Sequence, residues 1–214
     1  MRTITENCYQ LQRSKGANGY LIRAAGHTAV VDPGLANGHD AVLRELRDAA
    51  PVVGPVTHIL LTHYDGDHTQ SVRRLQRELG ATVWLGVADA AILRRDVPPP
   101  TRVRRVLFRL IPASFPGSVT ELDGERELFE GVTTFPTPGH TPGHVAYRFG
   151  DVLFSGDAVR VDRDGGIKRF FSALNSDNMV AARTTAELQR RIDSGSVRWI
   201  CPGHNPPAQV RSQP

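Results

Sequence analysis

The stretch Ile59-Leu60-Leu61-Thr62-His63-Tyr64-Asp65-Gly66-Asp67-His68 decides the reading of this chain. An apolar run hands over directly to four metal-capable side chains, His63, Asp65, Asp67 and His68. A strand ending in this way holds imidazoles and carboxylates at a fixed edge, where they can share one or two cations. Read alone, the same residues also fit a polar turn after a buried strand. Three later segments favour the metal reading: Thr137-Pro138-Gly139-His140, Phe154-Ser155-Gly156-Asp157 and Cys201-Pro202-Gly203-His204. Each follows apolar or β-branched residues, turns on Gly or Pro-Gly, and delivers a His or an Asp.

Outward from these anchors the patterning is mixed. Short strands are predicted over Ile4–Leu11, Gly19–Arg23 and Thr28–Val31, the last ending in the turn Asp32-Pro33-Gly34. Val42, Leu43 and Leu46 give His39–Ala49 a helical period, and Val72, Leu75 and Leu79 do the same for His68–Leu79. Between the two helices lies a strand, Thr57–Leu61. A strand over Ala81–Leu85 and a short helix over Val87–Arg94 follow. Asp96-Val97-Pro98-Pro99-Pro100 cannot be regular structure and opens an inserted loop to about Gly117, rich in arginine, with Phe108 and Phe115. Strand patterning resumes at Val119 and continues over 127–129, 132–135, 145–149 and 152–154. A helix over Asn178–Ile192 carries Met179, Ala182, Ala186 and Leu188 on one side, and Val197–Ile200 is the last strand. Gln209–Pro214 reads as a loose tail. The order gives two β/α halves with a seam near residues 110–120. Because ligand candidates come from both halves, a shared site would sit where two sheet edges meet, in a four-layer αββα sandwich. The 214 residues are read as one domain.

Composition sets the broad class. Hydrophobic residues are 40% and charged residues 22%, as in ordinary globular proteins. No apolar run approaches the roughly 20 residues of a membrane span, and Met1–Asn7 lacks the apolar core of a secretory signal. Cys8 and Cys201 are the only cysteines, so a reducing cytoplasm is the expected location, and Cys201 reads as packing rather than as a ligand. The net charge of +4 is almost wholly arginine. Arg73, Arg74 and Arg77 on one helix, and Arg94, Arg95, Arg102, Arg104, Arg105 and Arg109 further on, read as a solvated surface. A small molecule, not nucleic acid, is therefore the expected partner.

In motif and order the chain resembles the metallo-β-lactamase superfamily, marked by His-x-His-x-Asp-His followed by separate His, Asp and His ligands. Carried over, His63 fills the first motif position and Asp67-His68 its end. His140 matches the lone His, Asp157 the bridging Asp, His204 the final His, and Asp32-x-Gly34 the early Asp-x-Gly turn. The resemblance implies one metal held by His63, residue 65 and His140, a second held by Asp67, His68 and His204, and Asp157 between them. Asp65 stands where most members have a second His. The flavodiiron branch has Glu there, and an added carboxylate shifts preference from zinc toward iron or manganese without excluding zinc. His144 reads as a neighbour of the ligands or of substrate, and His27, His39 and His58 as surface or core histidines.

The implied chemistry is hydrolysis by a hydroxide bridging two divalent metals, with Asp67 orienting the nucleophile or carrying a proton to the leaving group. No Gly-x-Ser-x-Gly and no phosphate-cradling glycine loop suggests a protein nucleophile. The compact length fits a lactone, a small thioester or a lactam better than the family's nucleases or phosphodiesterases. A glyoxalase II-like enzyme would carry a longer helical extension than the residues after His204. A second class is a mononuclear iron oxygenase resembling the persulfide dioxygenases, with iron on His63, His140 and Asp157. The arginine-rich loop is expected to border the mouth of the site, with Phe108 and Phe115 offering apolar contact.

Overall fold

The computed structural model describes residues 1–162 and 164–210. The chain opens on an antiparallel meander of β1 (Arg2–Thr5), β2 (Cys8–Gln10), β3 (Tyr20–Ala24) and β4 (His27–Val31). Helix α1 (His39–Val53) returns it to β5 (Val56–Leu60), which lies parallel to β4. There follow α2 (Gly66–Thr69), α3 (Val72–Leu79), β6 (Thr82–Gly86), α4 (Val87–Arg94), α5 (Arg102–Leu110) and β7 (Thr120–Leu122). β6 and β7 add in parallel and complete a seven-stranded sheet in sequence order. The second half repeats the plan: β8 (Arg126–Phe129), β9 (Val132–Pro136), β10 (Val145–Phe149) and β11 (Val152–Gly156) form an antiparallel meander. A hairpin of β12 (Val159–Val161) and β13 (Ile167–Arg169) intervenes, then α6 (Asn178–Asp193). β14 (Trp199–Pro202) joins parallel to β11, and β15 (Ala208–Gln209) closes the six-stranded sheet.

Three apolar layers glue four structural ones, as the αββα reading expects. Leu43, Leu46, Val72, Leu75 and Ile92 of the helices pack on Leu21, Val30 and Ile59 of the first sheet. Between the sheets, Tyr20, Ile22, Val31 and Leu60 meet Val145, Tyr147, Phe154 and Cys201. Leu188 and Ile192 of α6 cover Phe135, Ala146, Leu153 and Ile200 on the outer face of the second sheet. Each such buried aliphatic side chain contributes roughly 1.5–3 kcal/mol relative to exposure. The two halves are also stitched by hydrogen bonds: Tyr147 Oη donates to the Leu61 carbonyl at 2.8 Å, and Tyr20 Oη to the Pro202 carbonyl at 2.7 Å.

Several boundaries differ from the sequence reading, each for a local reason. Ile4–Leu11 is not one strand but the β1–β2 hairpin. α1 runs past Ala49 because Val53 still reaches the core. The helix expected from His68 to Leu79 breaks before α3, because Ser71 N donates to the Gly34 carbonyl at 3.0 Å and its Oγ to Leu35 at 2.7 Å. The loop 96–117 contains α5, which starts after the prolines because Thr101 Oγ1 accepts from Arg104 N and caps it. The seam falls after β7, not at 110–120, since Thr120–Leu122 pairs with β6. In α6 the buried stripe is Ala181, Thr184, Leu188 and Ile192, whereas Met179 is 71% exposed. Gln209, expected in a loose tail, pairs with Trp199, and 211–214 lie outside the described residues. No helix among the described residues is long and apolar enough to cross a membrane.

Candidate metal centre

All the ligand candidates leave the same edge of the sandwich. The turn after β5 carries His63 and Asp65 and runs straight into α2 with Asp67 and His68; His140 follows β9, Asp157 follows β11 and His204 follows β14. Parallel strands present their carboxyl ends on one side, the usual place for a site in such sheets. His63 Nε2 and His140 Nε2 lie 3.4 and 3.2 Å from Asp65 Oδ2. His204 Nε2 lies 3.3 Å from Asp67 Oδ2, and His68 Nε2 3.8 Å from the same oxygen. Asp157 stands between the groups, 3.6 Å from His140, 3.7 Å from His68 and 3.3 Å from His204. The ligand atoms of His63, His140 and Asp157 fall within 4.8 Å of one another, as do those of Asp67, His68 and His204.

The donor set fits divalent metals. His63 Nε2, His68 Nε2 and Asp157 Oδ1 are buried with no hydrogen-bond partner. Such orphans are costly in a protein interior unless another ligand satisfies them. Asp32 also groups with His63 and His68, but it sits behind the His68 ring and accepts from Nδ1 at 2.9 Å.

The sequence profile of the metallo-beta-lactamase superfamily matches residues 15–204, which takes in every one of these positions. The chain belongs to the metallo-β-lactamase superfamily. Among curated superfamily relatives, a hydroxyacylglutathione hydrolase of Cereibacter sphaeroides is 35% identical over 138 residues, 64% of this chain and 44% of that protein. One of Acidiphilium cryptum is 36% identical over 132 residues, 62% of this chain and 44% of that protein. The chain therefore spans about half the length of these relatives. Among solved structures, TTHA1623 in a di-iron-bound form aligns with a TM-score of 0.65 at 25% identity, covering 90% of this chain and 89% of that one. DIM-1 metallo-beta-lactamase aligns with a TM-score of 0.72 at 16% identity, covering 97% and 90%.

In this superfamily chain, groups behind the imidazoles set which nitrogen faces the centre. Thr62 Oγ1 donates to Asp32 Oδ2 at 2.6 Å, so it accepts from His63 Nδ1 at 2.9 Å. Asn175 Oδ1 lies 3.3 Å from His140 Nδ1. His63, His68 and His140 thus all turn Nε2 inward, the orientation that hydrogen-bonded backing groups impose on metal-binding histidines. Two glycines make room. Gly34 has φ +90° and its carbonyl holds Ser71, while a Cβ there would meet Lys15 O at 2.5 Å. A Cβ on Gly203 would strike Asp157 Oδ1 and come within 2.8 Å of His68 Cε1.

The charges are strongly coupled in the metal-free protein. Burial alone would lower His68, but Asp157, Asp32 and Asp67 outweigh it and hold its pKa well above the ordinary value. Burial would likewise lower His204, yet its bonds to Asp157 and Asp67 raise it to about 9. His63 is different: burial first, then His68, lower its pKa. Burial works against ionised Asp65, but His63, His140 and Arg104 keep its carboxyl well below the usual range.

Two residues to which the sequence reading gave no part in the centre organise it. Asp89, buried in the first turn of α4, accepts from Tyr64 N at 3.0 Å, Thr141 Oγ1 at 2.6 Å and Gly143 N at 2.7 Å. It thereby ties the His63–His68 loop to the His140 loop, and burial pushes its pKa up to about 7. Arg104, read from the sequence as one of many solvated arginines, is only 1% exposed, and its Nη2 donates to Asp65 Oδ1 at 2.6 Å. Its neighbours Arg102, Arg105 and Arg109, together with Arg73, Arg74 and Arg77, are exposed as expected. His144 is buried behind His63, stacked at 5.0 Å, with Nδ1 2.7 Å from Thr137 Oγ1. His39 is buried against Glu78, while His27 and His58 are half-buried around Phe129.

A cavity of about 310 Å³ opens over the centre, walled by Leu107, Phe108, Ile111, Phe170, Phe171 and Leu174. Phe108 borders the mouth as expected. Phe115 does not: it packs against the outer helical core and a separate depression with Pro112 and Ala113.

Proposed function

We propose that this chain is a metal-dependent hydrolase that opens a small ester-type bond, a thioester in the first place, in the cytoplasm. His63, Asp65, Asp67, His68, His140, Asp157 and His204 hold two divalent transition metals in this reading, zinc before iron or manganese. The observation that carries it is the convergence of these side chains, with orphaned buried ligand atoms, under an apolar cavity. Bound metals would supply a hydroxide at neutral pH and polarise the carbonyl under attack. The protein's own part is to position and to move protons. Leu107, Phe108, Phe170 and Leu174 offer apolar walls to the acyl portion and exclude water from it. Asp67, one quarter exposed and lining the cavity, is placed to orient the nucleophile and to pass a proton to the departing thiol or alcohol. Hydroxyacylglutathione hydrolases among the relatives favour the thioester over the lactone or lactam.

The test joins elemental analysis of protein purified without chelators to a panel of S-acyl thiols, lactones, lactams and phosphodiesters. Close to two metals per chain and fastest turnover of thioesters are expected. Thioester turnover no faster than that of phosphodiesters would overturn the substrate reading. The grouping of His63, His140 and Asp157 as a two-His-one-carboxylate set supports one rival, a mononuclear iron oxygenase. A metal content near one, with oxygen uptake on glutathione persulfide, would decide for that rival.

A further inference from the structure

Arg104 reaches the centre from α5, a segment outside the metal-binding motif. It spends every arm of its guanidinium there. Nη2 donates to Asp65 Oδ1 at 2.6 Å, Nε to Tyr64 Oη at 3.1 Å, and Nη1 to the Leu174 carbonyl at 3.0 Å. Nη1 also lies 3.3 Å from His140 Nε2. With Asn175 Oδ1 3.3 Å from Nδ1, a neutral ring protonated on that nitrogen turns its Nε2 lone pair toward Arg104 Nη1, and Asp65 Oδ2 lies 3.2 Å from the same Nε2. A metal between His63 and His140 needs that same lone pair.

We propose that Arg104 is an internal competitor for the first metal, a fixed cation that makes the two halves of the centre load in order. The half built from Asp67, His68 and His204 fills first, because neither Asp67 nor Asp157 has an arginine or lysine ion pair among the described residues. The half built from His63, Asp65 and His140 fills second and more weakly. Its metal has to take His140 from a guanidinium and then sit near an undiminished positive charge, since arginine does not deprotonate. The Asp65 contact acts in the opposite sense. It occupies Oδ1 and leaves Oδ2 aimed at His63 and His140, so Arg104 positions the ligand while contesting the metal. Lysine could not do both, having a point charge in place of a planar fork.

The inference rests on the two-metal reading above but is tested without substrate. Cobalt titration of metal-free protein, followed by visible absorbance and calorimetry, is expected to give two dissociation constants at least about tenfold apart. Arg104→Gln should tighten the weaker step by about tenfold and move the tighter step less than about threefold. In the same variant the metal-free protein should melt at a lower temperature, since half-buried Asp65 loses its partner. Arg104→Lys, which keeps the charge, should leave the weaker step weak. Equal constants in the wild type, or a weaker step that loosens in Arg104→Gln, would overturn the proposal and leave Arg104 a structural arginine. Should Arg104→Gln not fold, the wild type still decides through its Arg104 Nε–H resonance, read with zinc. A shift confined to the second equivalent supports the proposal, and a shift with the first equivalent, or none, refutes it. Protein that loads metals in this order yet cleaves no thioester leaves Arg104 as described and removes only the thioester reading.

Discussion

The two halves of the centre share one edge of the sandwich but rest on unlike supports. His68 is backed by the Asp32 carboxylate, whereas His63 and His140 are backed by a hydroxyl and an amide. Among the described residues Asp67 is ion-paired only with histidines, but Asp65 meets an arginine as well. A carboxylate behind an imidazole raises its basicity more than a neutral oxygen does. The difference teaches that a nearly symmetric ligand list can conceal unequal sites, because affinity is set by what stands behind each ligand.

The largest way to break this comparison is Asp65→Asn. It leaves a buried guanidinium without its carboxylate, so the metal-free protein should lose about 3 kcal/mol of stability in denaturant unfolding. First-half affinity should fall while the second half stays filled. Asp65→His restores the commoner motif and should shift preference toward zinc. It should also be at least as unstable as Asp65→Asn unless Arg104 is replaced too. Retention of wild-type stability by both variants would show that the pair carries little.

Next in size is the backing of the imidazoles. Asp32→Asn keeps an acceptor near His68 Nδ1 but removes the charge, and should weaken second-half metal binding by about 10–100-fold in a chelator competition. Asn175→Ala should cost the first half less than that. Equal losses would erase the distinction.

Acidity sharpens the comparison further. The folded pKa of His204, about 9, lies above the unfolded value near 6.5. Its contribution to metal-free stability is therefore complete below about 6.5 and lost as pH rises through about 9. Metal binding needs neutral rings, so second-half affinity should rise across the same window, by up to about tenfold per unit for His204 and as much again for His68, whose pKa is raised too. His63, with its lowered pKa, is already neutral there and should give the first half a flatter profile. Melting curves with and without zinc from pH 6 to 9 read both slopes; parallel slopes would contradict the assignment.

The smallest expected effect separates two aromatic residues. Phe108→Ala should raise KM for an acyl thioester several-fold, while Phe115→Ala should cost about 1–2 kcal/mol of stability and leave KM unchanged. Matching changes in KM would place both at the mouth.

The legible parts of the molecule are those in which chemistry and local pattern coincide. His63, Asp67, His68, His140, Asp157 and His204 follow strand-like runs and tight turns, so their convergence was readable from order alone. Arg104 was not, because nothing in Arg102-Val103-Arg104-Arg105 marks the one guanidinium that turns inward; its partner is fixed only when α5 packs over Tyr64. Asp89 reads as an ordinary acidic residue in a helix's first turn, and only the two loops it joins give it another role. In α6, hydropathy favoured Met179, but the helix buries Ala181 and Thr184 instead, with Ala181 so close to the His140 loop that a Cβ on Gly139 would strike its backbone. β12 and β13 are too short for their alternation to stand out.

The bonds around β14 carry a consequence for how the protein is made. Asn18 N donates to the Gly203 carbonyl at 2.6 Å, and its Nδ2 to Pro202 and Asn205 at 3.0 and 2.7 Å. The loop bearing His204 is thus clamped by a residue synthesised near the beginning of the chain. A nascent polypeptide that has not yet emerged through β14 has neither its final ligand nor the partner that holds Asn18. Under the two-metal reading, the half built from Asp67, His68 and His204 is therefore completed only after β14 has been made. A ribosome-stalled or proteolytically shortened chain ending before β14 would leave Asp67, His68 and Asp157 as a cluster of charges with no closing partner.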